Sequence, residues 1–354
     1  MKIKRLECWY QKLILKQPYT IAYETIESSY NVFLKISTNT KITGWGCAAP
    51  DKEVSNETYE SVCTAVGSYI EPILKGSNPF HYASTIERLK EHLKNQPSAL
   101  AMADMVLYDL IAQKAGVPLY MFLGGFRRCI PTSITIGILT VEETLKQALY
   151  YAKNGFTIIK IKGGRNLEED IERVQKTREI LGEHVGIRFD ANQGYTVKEA
   201  IQFIKKTQHS GIELLEQPTS KKNDEFLGQV TKNVQVPVMA DESIMNLKDV
   251  FRLTSHDLTD MINIKLMKVG GISESLHINS VARAAGVEVM VGCMDECSLG
   301  ISAGLHFACS RPNIAFADLD SFFEIIDDPF HGIFTLKNGV LYPTKKYGLG
   351  VGKK

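Results

Sequence analysis

Residues 157–162 read Thr-Ile-Ile-Lys-Ile-Lys, residues 186–192 Gly-Ile-Arg-Phe-Asp-Ala-Asn, and residues 212–217 Ile-Glu-Leu-Leu-Glu-Gln. Each is a short run rich in β-branched or leucine side chains that ends in charge. Similar apolar runs lie on either side, at 134–138, 236–239, 261–264, 287–291 and 314–316. Amphipathic segments of helical length separate them, such as 168–181 and 197–206. Nearly all-apolar strands alternating with helices predict a parallel sheet covered on both faces. Eight in succession favour a closed barrel over an open sheet.

Ahead of this region the first third is mixed. Strand-like segments at 3–9 and 32–37 are separated by turns around Asn39 and Gly44. A helix is predicted over 98–115, with its apolar stripe through Leu100, Met105, Leu107 and Leu110, and Gly116-Val117-Pro118 stops it. The 41 basic and 40 acidic residues nearly cancel, which excludes the basic footprint of a nucleic-acid binder. The N-terminal segment carries charges through its length and no later stretch is long and uncharged enough for a bilayer, so neither a signal peptide nor a membrane partner is expected. Seven irregularly spaced cysteines predict reduced thiols in a cytoplasmic protein. Cys293 and Cys297 lack the second Cys or His pair of a zinc site.

Barrel enzymes carry their chemistry at the C-terminal ends of the strands. The second strand ends in Lys160-Ile161-Lys162, and alternation turns both lysines into the mouth. The third ends in Asp190-Ala191-Asn192, the fourth in Glu216, the fifth in Asp241-Glu242 and the sixth in Asn263-Ile264-Lys265. Unpaired carboxylates are costly in such buried positions. Either each pairs with a lysine of the same mouth, or three on consecutive strands hold a cation. An all-oxygen set suits Mg²⁺, and the charge of three carboxylates favours that reading. Lys162 and Lys265 stand four strands apart and so face each other. A neighbouring ammonium, a metal and burial would each favour a neutral, basic lysine. Two opposed bases suit removing a proton from a carbon acid on one face and returning it on the other. The cation would steady the enediolate that forms.

These motifs resemble the muconate-lactonizing branch of the enolase superfamily over essentially the whole chain. The likeness also includes Gly44-Trp45-Gly46, Leu123-Gly124-Gly125, Glu216-Gln217-Pro218, Ala240-Asp241-Glu242-Ser243 and Lys265-Leu266-Met267-Lys268 with Gly270-Gly271. It implies an α/β fold: a (β/α)7β modified TIM barrel (126–321) under an α+β capping domain (1–125, completed by the tail 322–354). It implies one Mg²⁺ per subunit on Asp190, Glu216 and Asp241, with Lys162 and Lys265 as the bases and Lys160 on the substrate carboxylate. Glu242 and Lys268 are expected to point away from the site, as structural residues.

Within the branch, the chain is most similar to dipeptide epimerases, including L-Ala-D/L-Glu epimerases. Their Asp-X-Asp after the eighth strand is matched by Asp318-Leu319-Asp320, where two carboxylates would hold a dipeptide's ammonium. Thr135, Asn192 and Asp295 are further pocket candidates. Two departures stand out. Cys47 replaces the usual Glu after Gly46, and the 19–25 capping loop carries Glu24 where glutamate-specific relatives have an arginine. The expected function is therefore epimerisation of L-Ala-Xaa dipeptides with a broad second residue, by a homo-oligomer. N-succinylamino acid racemase, o-succinylbenzoate synthase, muconate cycloisomerase and a non-catalytic metal-binding barrel are the alternatives.

Overall fold

The computed structural model describes residues 1–22 and 24–352. Tyr23 of the 19–25 loop and the last two residues of the 322–354 tail lie outside the described residues. The chain opens with an antiparallel sheet of β1 (Ile3–Thr20), β2 (Thr25–Thr38) and β3 (Thr43–Ala48). Gly44-Trp45-Gly46 lies within β3 and is not a turn. Its glycines are there because the helix Pro97–Ala115 crosses the strand. A Cβ at Gly46 would lie 2.2 Å from the Met102 carbonyl oxygen, and one at Gly44 2.5 Å from Leu110 Cγ. That helix is buried on almost every side, between this sheet and the barrel's outer helices.

β4 (Ile130–Pro131) leads into eight parallel strands: β5 (Ile134–Ile136), β6 (Ile158–Lys162), β7 (Gly186–Asp190), β8 (Ile212–Glu216), β9 (Val238–Ala240), β10 (Met261–Lys265), β11 (Glu288–Gly292) and β12 (Ile314–Asp318). They pair in chain order from β5 to β12. The seam between the first and last is bridged by Ser133 N–H to the Ala317 carbonyl at 3.2 Å and by Leu319 N–H to Thr132 Oγ1 at 2.8 Å. Helices alternate with the strands and bury one face on them. Thr140 with Glu143, and Thr196 with Glu199, form capping boxes that start two of these helices. The tail adds β13 (Phe334–Lys337) and β14 (Val340–Pro343), and β14 pairs with β4. Among the described residues, no helix is long and apolar enough to cross a membrane.

Two contacts seat the N-terminal sheet over the barrel mouth, and a third ties it to the tail. The β1–β2 tip lies on Gly137, where a Cβ would meet Thr20 backbone atoms at 3.1 Å, and Ile138 N–H donates to the Thr20 carbonyl at 2.7 Å. Asn31 of β2 donates to the Asp295 carbonyl and accepts from Cys297 N–H, each at 2.9 Å. Buried Asp109 accepts from Trp45 and Leu349 N–H groups, tying β3 to the tail.

Candidate active site

Register brings the charged strand ends to one level. Lys162 stands beside Asp190, and Asp190 beside Glu216; across the ring Lys265 neighbours Gly292, which neighbours Asp318. The side chains meet in ion pairs. Lys160 Nζ lies 2.8 Å from Asp318 Oδ2, 2.8 Å from Glu216 Oε2 and 3.0 Å from Asp190 Oδ2. Lys162 donates to Asp190 Oδ2 at 2.7 Å, and Lys265 lies 2.8 Å from Asp241 Oδ2. Pairing of carboxylates with the lysines of the mouth is thus the arrangement seen. Among the described residues, no three His, Cys, Asp or Glu side chains converge as a ready ligand group.

The donor set nonetheless fits a hard cation. Asp190, Glu216 and Asp241 are at most 1% exposed and sit at the ends of three successive strands. Glu216 Oε1 accepts from Asn263 at 2.9 Å, and its buried Oε2, which makes no hydrogen bond, has the Lys160 ammonium at 2.8 Å, shared with Asp190 and Asp318. Burial, reinforced by Asp190, pushes the Glu216 carboxyl up to about 7. A single ammonium shared among three buried carboxylates leaves this end of the site able to take further positive charge. Three carboxylates with no nitrogen or sulfur ligand are a donor set of the kind that suits Mg²⁺.

The lysines differ from the sequence expectation. Burial lowers Lys265, but Asp241 outweighs it and holds the ammonium well above its ordinary range; Lys160 is held up likewise by Asp190, Asp318 and Glu216. The nearby carboxylates overcome the like charges that were expected to make the lysines basic. Burial raises Asp190, but Lys160 and Lys162 bring it below the usual carboxylate range.

One cavity joins the lysines and Asp241 to the cap; Asp190 and Glu216 are not part of its lining. Its lining includes Lys160, Lys162, Lys265, Thr135 and Asn192, and it extends to Asp318, Asp320, Asp295 and Glu24. Ser133 donates to Asp318 Oδ1, and Thr135 N–H to Asp320 Oδ2, each at 2.6 Å. Tyr19 donates to Asp295 Oδ1 at 2.6 Å.

The comparisons with known proteins agree with this geometry. Residues 8–124 match the mandelate racemase / muconate lactonizing enzyme N-terminal domain, and residues 143–353 the enolase C-terminal domain-like family. The chain belongs to the enolase superfamily. An L-Lys-D/L-Arg epimerase of Desulforapulum autotrophicum is 41% identical over 99% of both chains. A substrate-liganded L-Ala-D/L-Glu epimerase from Bacillus subtilis superimposes with a TM-score of 0.97 at 38% identity, covering 99% of this chain and 98% of that one. A dipeptide epimerase from Enterococcus faecalis complexed with Mg and L-Leu-L-Tyr gives 0.96 at 38% identity over 99% of both. This superfamily member is an isomerase of the racemase and epimerase kind.

In this enolase-superfamily site, two residues expected to face away line the cavity. Lys268 Nζ hydrogen-bonds the Asp241 carboxylate and backbone carbonyl. Strand alternation misplaces it because β10 ends at Lys265 and the chain then turns into the helix Leu266–Val269. Glu242 accepts from Asn192 Nδ2 at 3.1 Å, having left β9 two residues earlier. Asp51, on the turn after β3, also lines the cavity and carried no motif. Cys47 is buried, donating to Asn31 Oδ1 with its sulfur 3.8 Å from Cys297 Sγ. The residue that departs from the family pattern therefore packs at the junction of cap and barrel.

Proposed function

We propose that this chain is a dipeptide epimerase that inverts the α-carbon of the C-terminal residue of L-Ala-Xaa dipeptides by two-base 1,1-proton transfer, with a broad choice of Xaa. The observation that carries this reading is the lysine pair. Lys162 and Lys265 end β6 and β10, four strands apart in the ring, and line one cavity. A substrate carbon between them presents one face to each Nζ. With Lys265 neutral and Lys162 an ammonium, Lys265 takes the α-proton of the L isomer, and Lys162 delivers a proton to the opposite face. The D isomer reacts by the reverse exchange.

The chemistry that Mg²⁺ supplies, held by Asp190, Glu216 and Asp241, is positive charge that draws the substrate carboxylate's electrons and offsets the acids that keep the lysines protonated. Lys160 adds a fixed cation beneath the substrate carboxylate. Asp318 and Asp320 supply negative charge for the dipeptide's ammonium, while Thr135 and Asn192 shape the wall. An N-acylated amino acid would bring no cation to those two acids. We divide the chain into a cap of 1–125, completed by the tail from 322, and a barrel of 126–321. A cytoplasmic setting is supported by seven free cysteines.

Deuterium exchange tests the assignment. The wild type should label the α-carbon of both isomers of an L-Ala-Xaa dipeptide in D₂O, and excess EDTA should stop it. Lys265→Ala and Lys162→Ala should each abolish epimerisation while retaining exchange of one isomer, a different one in each case. Near-normal turnover in both directions by Lys265→Ala would exclude the two-base scheme.

A further inference from the structure

The cavity continues beyond the lysines toward the cap, and its far wall is acidic. Glu24 comes from the β1–β2 tip, Asp51 from the turn after β3, and Asp295 from the loop after β11. These three, with Ile26 and Met294, also line an adjoining cavity of about 400 Å³, which reaches Tyr30 and Tyr59. The acids therefore stand between the reacting centre and a second space with room for a long side chain.

The wall has little cationic compensation. The lysines lining the inner cavity are committed to other carboxylates: Lys160 and Lys162 to Asp190, Lys265 and Lys268 to Asp241. Lys52 lines only the outer cavity. Arg165 donates Nε to the Ala22 carbonyl at 2.9 Å and lines neither cavity. Burial, then Asp51 and Asp295, push the Glu24 carboxyl up. Burial and Asp51 raise Asp295 as well, and they outweigh the Tyr19 hydrogen bond and the charges of Lys162 and Lys265 that lower it. Partly desolvated carboxylates that repel one another are relieved by a cation between them. Tyr30 and Tyr59, stacked on each other with ring centroids 4.4 Å apart, form an aromatic edge of the outer cavity.

We propose that Glu24, Asp51 and Asp295 form a subsite for a long cationic side chain on the substrate's second residue. Lysine and arginine are then the preferred Xaa, and Asp51 is a specificity-determining residue. The proposal rests on the dipeptide reading above and narrows it. A short side chain spans less of the path from the lysines to this wall, and a glutamate brings a further carboxylate to it.

The test compares kcat/KM for L-Ala-L-Lys, L-Ala-L-Arg, L-Ala-L-Met and L-Ala-L-Glu with saturating Mg²⁺, following α-proton exchange in D₂O. The two cationic dipeptides should exceed L-Ala-L-Met by about tenfold or more, the effect of one charge-assisted hydrogen bond, and L-Ala-L-Glu should be poorest. Asp51→Asn keeps an oxygen for the Val54 N–H that Asp51 now accepts at 2.7 Å. It should lower the Lys-to-Met ratio by about tenfold, and Glu24→Gln should shift the ratio in the same direction. A wild type that handles Met or Glu as well as Lys overturns the subsite, as does a ratio unmoved in both variants. Failure of all four dipeptides to exchange overturns the dipeptide reading itself, and the subsite with it.

Discussion

Asp318 and Asp320 are not equivalent, and Asp320→Asn separates their roles. Asp318 has both oxygens engaged, Oδ1 by Ser133 and Oδ2 by Lys160. Asp320 accepts from Thr135 N–H at Oδ2, while Oδ1 accepts only weakly from the Cys293 thiol at 4.0 Å. Burial, with Asp318 adding to it, pushes the Asp320 carboxyl up to about 7. A dipeptide ammonium would meet Oδ1 and restore the balance of charge. Asparagine preserves the volume and leaves an oxygen for Thr135, so the change removes chiefly the charge-assisted bond. Such a bond contributes about 1.5–3 kcal/mol, which is roughly a tenfold to 150-fold fall in kcat/KM. The assay compares a free-amino L-Ala-Xaa with its N-acetyl form in wild type and variant. The wild type should favour the free amine by about that factor, and Asp320→Asn should bring the two substrates together. Asp318→Asn should instead slow both and narrow the preference less than Asp320→Asn does, because it chiefly removes one of the carboxylates balancing buried Lys160. If Asp320→Asn slows both substrates equally, or the wild type accepts the acetylated form as well, Asp320 does not hold the ammonium.

Two further outcomes concern the folded state. In excess EDTA, Asp241→Asn leaves Lys265 and Lys268 without their shared carboxylate, which should cost about 3–5 kcal/mol. Glu216→Gln should cost far less, since Lys160 keeps Asp190 and Asp318, yet both variants should lose the thermal stabilisation that added Mg²⁺ gives the wild type. Equal melting of the two variants in EDTA would contradict the ion-pair account. Asp104 is buried where it accepts from Ile272 and Ser273 N–H groups at a helix start, and burial pushes its carboxyl up to about 7 against those hydrogen bonds. The folded chain thus holds this proton more tightly than the unfolded chain does. Its contribution is complete below the ordinary value of 3.8 and is lost as pH rises through about 7. Asp104→Asn should flatten that part of the melting profile between pH 5 and 8, and a steeper fall in the variant would refute the assignment.

The barrel was legible in the sequence because its strands are buried on both faces, so Ile158–Lys162 and Ile212–Glu216 announce themselves as apolar runs closed by charge. The opening sheet was less so. β1 runs to Thr20, past both its clearest run at 3–9 and the strand reading of residues 1–16, because exposed Lys and Gln positions interrupt its apolar pattern. Gly44-Trp45-Gly46 reads as a turn, and only the crossing helix explains the glycines.

The lysines, the carboxylates and their strands were set by period-two alternation and by the cost of burying charge, both local rules that sequence carries. Alternation ceases to apply where a strand ends, so it turns Lys268 and Glu242 away from the site, and only the paths after β10 and β9 bring them to the cavity. Pairing lay equally beyond reach. Which lysine takes which acid, and that Asp318 is engaged on both oxygens while Asp320 Oδ1 meets a thiol at 4.0 Å, depends on register around the ring. The cavity's acidic wall depends on the tertiary structure most of all. Glu24, Asp51 and Asp295 are separated by long stretches of chain on three different elements, and their charges act on one another only because the cap folds over the barrel mouth.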